Sequence, residues 1–377
     1  MTPKERMLIA MQNGKPDHVP CAPDISTMIP MRLLGKPFWE TEMEWNPPLW
    51  KAYVEAIKYF GIDGWFTYGD LSLRCDDKNK YEQKVVSRDN ERIVTAYKCE
   101  TPAGVLTSET TFFVADSASP TEKPIKDIKQ DFDKLRYLYP DILDSDTTRL
   151  EEMRAELGDL GALGVPISYP GFQIWFTLVQ SGLEGLTYAY MDHPDLIEEW
   201  RVMEEKRSLR MMELALDAKP DFILLAGSGS ITLQSPTIFR ELCVPTIKKM
   251  TAMAKQAGIP TMIHSCGKER VLIEILAEES DLNCVNPLEI PPMGDCELAE
   301  IKRDFGHRFA LMGNIHTTDV MLNGSVEDVE RVARKCIDDA AEGGGFILST
   351  GDQCGRDTPD ENIFKLVEVC KSYGRYD

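Results

Sequence analysis

His264 and Cys266 are the residues whose types and spacing point most directly to chemistry. They stand two apart in IHSCGK, where an apolar run closes, and alternation along an extended chain turns both side chains to one side. An imidazole and a thiolate so placed can share one metal ion, and a third donor thiol would complete a set suited to Zn2+. Cys354 is the candidate third, in the loop TGDQCGRDTP, whose polarity argues against burial as a core thiol. Glu289 is a candidate further ligand and, with Asp24, a candidate catalytic carboxylate. An H-x-C pair with a distant cysteine is also the mark of a buried histidine beside a buried thiol, so the residues alone leave both readings open.

These residues share a place in the pattern of elements. Apolar runs at 19–24, 62–68, 163–168, 221–227, 260–264, 283–290, 308–314 and 346–350 are expected as strands. Helical segments at 182–213, 236–257, 268–279, 295–304, 326–341 and 360–373 follow the later ones, several ending near Gly258, Gly306 or Gly343. Eight such units predict an α/β fold, a closed (β/α)8 TIM barrel in a single domain over 1–377. Residues 82–114 alternate apolar and polar around turn signals, which predicts an inserted antiparallel β-meander. Barrel chemistry collects where strands hand over to helices. Asp24, Tyr68, His264, Cys266, Glu289, Asn314 and Cys354 all fall there. Tyr68, Met28, Trp175 and Asn314 are the expected substrate-binding residues, and Trp65, Phe66, Met31 and Phe172 the expected apolar rim around them.

Composition narrows the partners. The chain has 377 residues, 62 acidic against 42 basic side chains, and a net charge of −20, which disfavours nucleic acid and anionic membrane surfaces. No apolar stretch approaches the roughly 20 residues needed to span a bilayer. The N-terminal segment is charged throughout and reads as an amphipathic helix rather than a secretory signal, so a cytoplasmic location is expected. Ten scattered cysteines are expected mostly as buried thiols. Homo-oligomerisation is compatible with all of this. The chain has no G-x-S-x-G, P-loop or dinucleotide fingerprint.

Longer segments carry a resemblance. TPKERMLIAMQNGKPDHVP at the start, TPAG (101–104), PTEKPIKDIKQDFDKL (120–135), SPTIFRELCVPTIKKM (235–250), IHSCGK (263–268), NPLEI (286–290), GNI (313–315) and FILSTGDQCGRDTPDENIFKLVEVCKSYGRY resemble the uroporphyrinogen decarboxylase superfamily. Within it, the chain resembles the corrinoid-dependent zinc methyltransferase branch, over nearly its full length. The resemblance implies a (β/α)8 barrel and a zinc held by His264, Cys266 and Cys354, with Glu289 as the further ligand. The metal-free decarboxylases carry an arginine-rich N-terminal motif for their polyanionic substrate. Here CAPDISTMIPMRLLGKPFW offers only Arg32 and Lys36 and includes Asp24, which argues against decarboxylation.

The expected activity is therefore methyl transfer. The apolar and aromatic rim favours O-demethylation, in which a methoxylated aromatic gives its methyl group to the Co(I) corrinoid of a partner protein. Transfer from a methyl-corrinoid to a thiol is the close alternative, with methylamine substrates and a non-catalytic zinc-stapled binding protein further off. No D-x-H-x-x-G motif occurs, so the corrinoid (cobalamin) is expected on a separate corrinoid-binding protein.

Overall fold

Parallel strands separated by helices run through the whole chain in the computed structural model, which describes residues 1–376. Strand β1 (Gly64–Phe66) is followed by β2 (Leu73–Cys75), then by β3 (Lys80–Arg88), β4 (Arg92–Thr101), β5 (Gly104–Phe113) and β6 (Ser119–Glu122). These last four form an antiparallel sheet in sequence order, the expected meander with one further strand. Strand β7 (Ile142–Ser145) pairs antiparallel with β2. The chain then returns to β8 (Gly161–Ser168), β9 (Phe222–Ala226), β10 (Thr261–His264), β11 (Cys284–Asn286), β12 (Ala310–Ile315) and β13 (Phe346–Thr350). With β1 these make one parallel sheet in the order β1-β8-β9-β10-β11-β12-β13.

Residues 19–22 close this sheet. Leu348 N–H donates to Pro20 O and Ala22 N–H to Leu348 O, both at 2.9 Å, while Asp63 N–H donates to Cys21 O at 2.8 Å. The eighth expected strand is thus a single bridge, Cys21 to Leu348, rather than a full ladder. Pro20 and Pro23 on either side of Cys21 have no N–H to extend it. Prolines also divide two of the expected helices. The segment 182–213 is two helices, Gly182–Asp192 and Pro194–Ala218, and 236–257 is Pro236–Leu242 and Val244–Ala257. Pro194 and Pro245 each sit in the first turn of the second helix, where a missing N–H is tolerated and a continuous helix is not.

Two cores follow from strand alternation. Outward side chains such as Val165, Leu225, Ile263 and Leu348 pack under the helices. Inward ones, among them Trp65, Phe222, Met262, Met312 and Ile347, fill the barrel together with Met7, Ala10 and Met11 of the N-terminal helix Pro3–Met11. A capping box starts that helix: Thr2 Oγ1 accepts from Glu5 N–H at 3.2 Å and the Glu5 carboxylate accepts from Thr2 N–H at 2.9 Å. Its contacts lie at the amino ends of the strands. Lys4 N–H donates to Asp159 O just ahead of β8, and Gly345 N–H just ahead of β13 donates to Gly14 O. Arg6, on the same helix, reaches the buried Asp63 carboxylate as well as Asp17.

Candidate active site at the carboxyl rim

Strand β10 delivers the site. Met262 faces the barrel interior and Ile263 the outer core, so alternation turns His264 inward, where its ring lies 6.2 Å from that of Trp65. His264 Nδ1 is 2.6 Å from Oδ1 of Asn286, the last residue of β11. Asn286 donates through Nδ2 to Met312 O at 3.3 Å, which fixes its amide with the oxygen towards the imidazole. Nδ1 is therefore the nitrogen that donates to Asn286, which leaves Nε2 turned away from it.

Beyond β10 the chain turns at Gly267, whose φ is +84°. A Cβ there would lie 2.1 Å from Thr232 Oγ1, so only glycine fits the turn. The Gly267 N–H donates to the Glu289 carboxylate. This brings Cys266 Sγ, a Glu289 oxygen and an Asp352 oxygen within 4.8 Å of one another. Ser228 Oγ lies 2.7 Å from Cys266 Sγ. Burial, with the Asp352, Glu289 and Glu269 carboxylates adding to it, pushes the Cys266 thiol up to about 11. Burial also raises the Glu289 carboxyl, against the Gly267 N–H and with Asp352 pushing the same way. Acidic donors held together in partial burial create a negative potential that a divalent cation relieves, and one thiol with two carboxylates is a donor set Zn2+ accepts. The residues present fit a metal of that kind.

The loop after β13 is sewn to the segment 19–27. Asp24 N–H donates to Thr350 Oγ1 at 3.0 Å, Cys354 N–H to Asp24 O at 2.8 Å, and Gln353 Nε2 to Ser26 Oγ at 2.8 Å. Asp24 is buried, which raises its carboxyl, and the nearby His264 pulls it back down. Cys354 is not the exposed loop thiol its polar neighbours suggest. It is fully buried in the outer core, and burial beside Asp24 pushes its thiol up to about 12. Among the described residues, the clustered donors are Cys266, Glu289 and Asp352; His264 and Cys354, both expected ligands, lie outside the cluster. Asp352 escaped the sequence reading although it stands in the same polar loop, two residues before Cys354. Asn286 escaped it too, although it opens the NPLEI segment that supplies Glu289.

The expected substrate residues divide. Tyr68 is half-buried and donates its hydroxyl to Ser26 O, and Met28 Sδ accepts from Ser117 Oγ at 3.8 Å. Both border the loop Asp24–Thr27. Asn314 is a correction: its Nδ2 donates to Leu288 O at 3.0 Å and Cys296 O at 3.3 Å, so it holds the loop after β11 rather than facing a substrate. Trp175 is another. It is fully buried, stacked on Trp200 at 4.4 Å, and donates its indole N–H to Glu204. Trp65, Phe66, Phe172 and Met31 are buried as well; Phe66 and Phe172 are outer-core packing, while Trp65 lies in the barrel interior beside His264.

Glu204 gives a prediction independent of the metal. Burial raises its carboxyl from 4.5 to about 7 despite the bonds from Trp175 and Ser168. Between those values the folded chain keeps a proton that the unfolded chain releases, so the contribution of Glu204 to stability is fully present below 4.5 and is lost as pH rises to about 7. Glu204→Gln cannot show this loss. Thermal melts across pH 5 to 8 are expected to show the variant gaining on the wild type by up to about 3 kcal/mol, and parallel curves would refute the assignment.

Comparison with known proteins places the chain. The model of the uroporphyrinogen decarboxylase (URO-D) family matches residues 180–373, just over half of the chain. The chain belongs to that family. Among curated relatives of this family member, the methylated-thiol–coenzyme M methyltransferase of Methanosarcina mazei is 26% identical over 180 residues, 43% of this chain and 45% of that protein. The methylcobamide:CoM methyltransferase MtaA of Methanosarcina barkeri is 28% identical over 180 residues, 48% of this chain and 50% of that protein. The matches thus span about half the length of these relatives. A solved methyltransferase from Methanosarcina mazei superposes with a TM-score of 0.67 at 18% identity, covering 99% of both chains, which shows a common fold. Among the described residues no helix is long and apolar enough to cross a membrane.

Proposed function

We propose that this family member is a zinc-dependent methyltransferase that passes a methyl group from the corrinoid of a separate protein to a small thiol. The observation that carries the reading is the cluster of Cys266, Glu289 and Asp352 at the carboxyl rim of the barrel. These three residues would hold the ion, and His264 Nε2, which lies outside their cluster, would have to close on them to serve as the nitrogen donor. Cys354 would have to turn out of the core to join them. Zinc bound there would supply Lewis acidity and hold a substrate sulfur in its thiolate form. The chain's own residues do the rest. Asn286 holds the His264 ring in one tautomer, Gly267 N–H orients Glu289, and the buried Asp24 beside His264 is placed to take up the proton that an incoming thiol sheds.

The thiol reading is preferred to O-demethylation on two grounds. Phe66, Phe172 and Trp175, most of the aromatic wall that favoured a methoxylated substrate, are outer core, and the relatives named above are methyltransferases whose names print a thiol or coenzyme M. Decarboxylation of a polyanionic substrate is disfavoured by the cations themselves. Arg32 is paired with Asp360 at 2.5 Å and Lys36 with Glu40 at 3.4 Å. All ten cysteines are free thiols, consistent with the cytoplasm as the working compartment.

The test uses zinc-loaded protein, methylcobalamin and 2-mercaptoethanesulfonate, with loss of the methylcobalamin absorbance as the readout. Thiol-dependent demethylation that stops on chelation supports the proposal. Turnover with methoxyarenes and Co(I) cobalamin, and none with thiols, would replace it with O-demethylation. Asn286→Ala is expected to weaken zinc affinity roughly 10–100-fold by freeing the His264 ring, measured by competition with a chromophoric chelator. Unchanged affinity would remove His264 from the donor set.

A further inference from the structure

A cavity of about 630 Å³ lies between the meander and the helix Pro194–Ala218, sharing no lining residue with the Cys266 cluster. Tyr81, Tyr97, Leu106 and Leu138 give it apolar walls, and Glu204 and Arg207 enter it from the helix. Its polar side is rigid. Trp175 and Trp200 stack at an interplanar angle of 13°, Trp175 donating its N–H to Glu204 and Trp200 donating its own to Tyr139 Oη at 2.7 Å. Glu204 also lies within 3.5 Å of Ser168 Oγ. Arg207 is different. Its Nη1 is shielded from solvent and has no hydrogen-bond partner among the described residues. No carboxylate among them lies within 4.0 Å of its guanidinium, although Glu204 is near enough to feel its charge and the same helix pairs Arg201 with Glu198 and Arg210 with Glu213. A shielded guanidinium nitrogen without an acceptor is costly, and a bound anion removes the cost. The volume falls in the range of small-molecule sites, and its apolar walls are edged by Glu82, Gln83, Lys98 and Ser108 from the meander as well as by Glu204 and Arg207.

We propose that this cavity binds a small carboxylate with a compact apolar body, its carboxylate on the Arg207 guanidinium and its body between Tyr81, Tyr97, Leu106 and Leu138. The site stands apart from the methyl-transfer reading, because binding there needs no metal and no corrinoid.

Isothermal titration calorimetry of the full chain with 3-phenylpropanoate tests it, with 3-phenylpropan-1-ol and 3-phenylpropylamine as the uncharged and cationic analogues. Saturable binding at one site per chain is expected for the carboxylate, weakened about 10-fold or more in Arg207→Gln, a loss of about 1.4 kcal/mol, and unchanged in Arg210→Gln. Ser108→Trp, which narrows the cavity from the meander side, is expected to abolish it and tests the same point if Arg207→Gln folds poorly. Equal affinity for the alcohol, tighter binding of the amine, or no saturable heat with the carboxylate would overturn the proposal.

Discussion

Replacing Cys266 by serine is expected to strip the metal from the protein, with zinc falling from about one per chain to a small fraction of that, and thiol-dependent demethylation falling with it. Loss of an outer partner of a metal ligand costs roughly 10–100-fold, and loss of the thiolate donor itself is expected to exceed that range. Stability in the absence of metal should change little, because Cys266 is half-exposed on the turn and packs in neither core. Elemental analysis paired with a thermal melt reads both. Cys354→Ala is the informative companion. A buried core thiol lost to alanine lowers stability and leaves zinc in place, whereas a thiol that turns out to bind the ion loses zinc as well. Zinc retained in full by Cys266→Ser would refute the site.

The second large effect concerns the amino end of the barrel. Asp63 is buried, accepts from Cys21 N–H at 2.8 Å, and faces the Arg6 guanidinium, so one carboxylate joins the N-terminal helix to the barrel-closing segment just ahead of β1. Arg6→Ala leaves that carboxylate buried without a cation. Removing one partner of such a pair costs about 3–5 kcal/mol, and chemical denaturation is expected to show a loss of that order. Arg6→Ala together with Asp63→Asn should recover part of it, because the uncompensated charge is then gone. A loss below about 1 kcal/mol in the single variant would mean that water reaches Asp63.

The barrel was legible because its signal is repeated: of its seven strands, six are apolar runs ahead of a helix and agree with one another. Closure by Cys21 was readable in its place but not its form, since the prolines beside it thin a strand to a bridge. The site was legible in part. Cys266 and Glu289 lie just past strand ends, where chain position nearly fixes side-chain position, and His264 shares the rim without joining their cluster. Cys354 and Asp352 share a loop, and loop polarity says nothing about which side chain turns inward. Here the thiol faces the core and the carboxylate faces Cys266. Trp175 and Asn314 mislead for a related reason: both sit beside the rim, and their polar hydrogens are taken up by Glu204 and by backbone carbonyls.

Met7, Ala10 and Met11 leave the barrel with a sealed floor. A barrel closed at one end imposes a traffic rule on whatever enters at the other. If, on the proposed reading, a corrinoid protein presents its methyl group at the carboxyl rim, it covers the end of the barrel opposite that floor, so the thiol would have to be seated first and its methylated product would depart after the partner withdraws. Kinetics would then be ordered, with excess corrinoid protein inhibiting the reaction by trapping the product behind it.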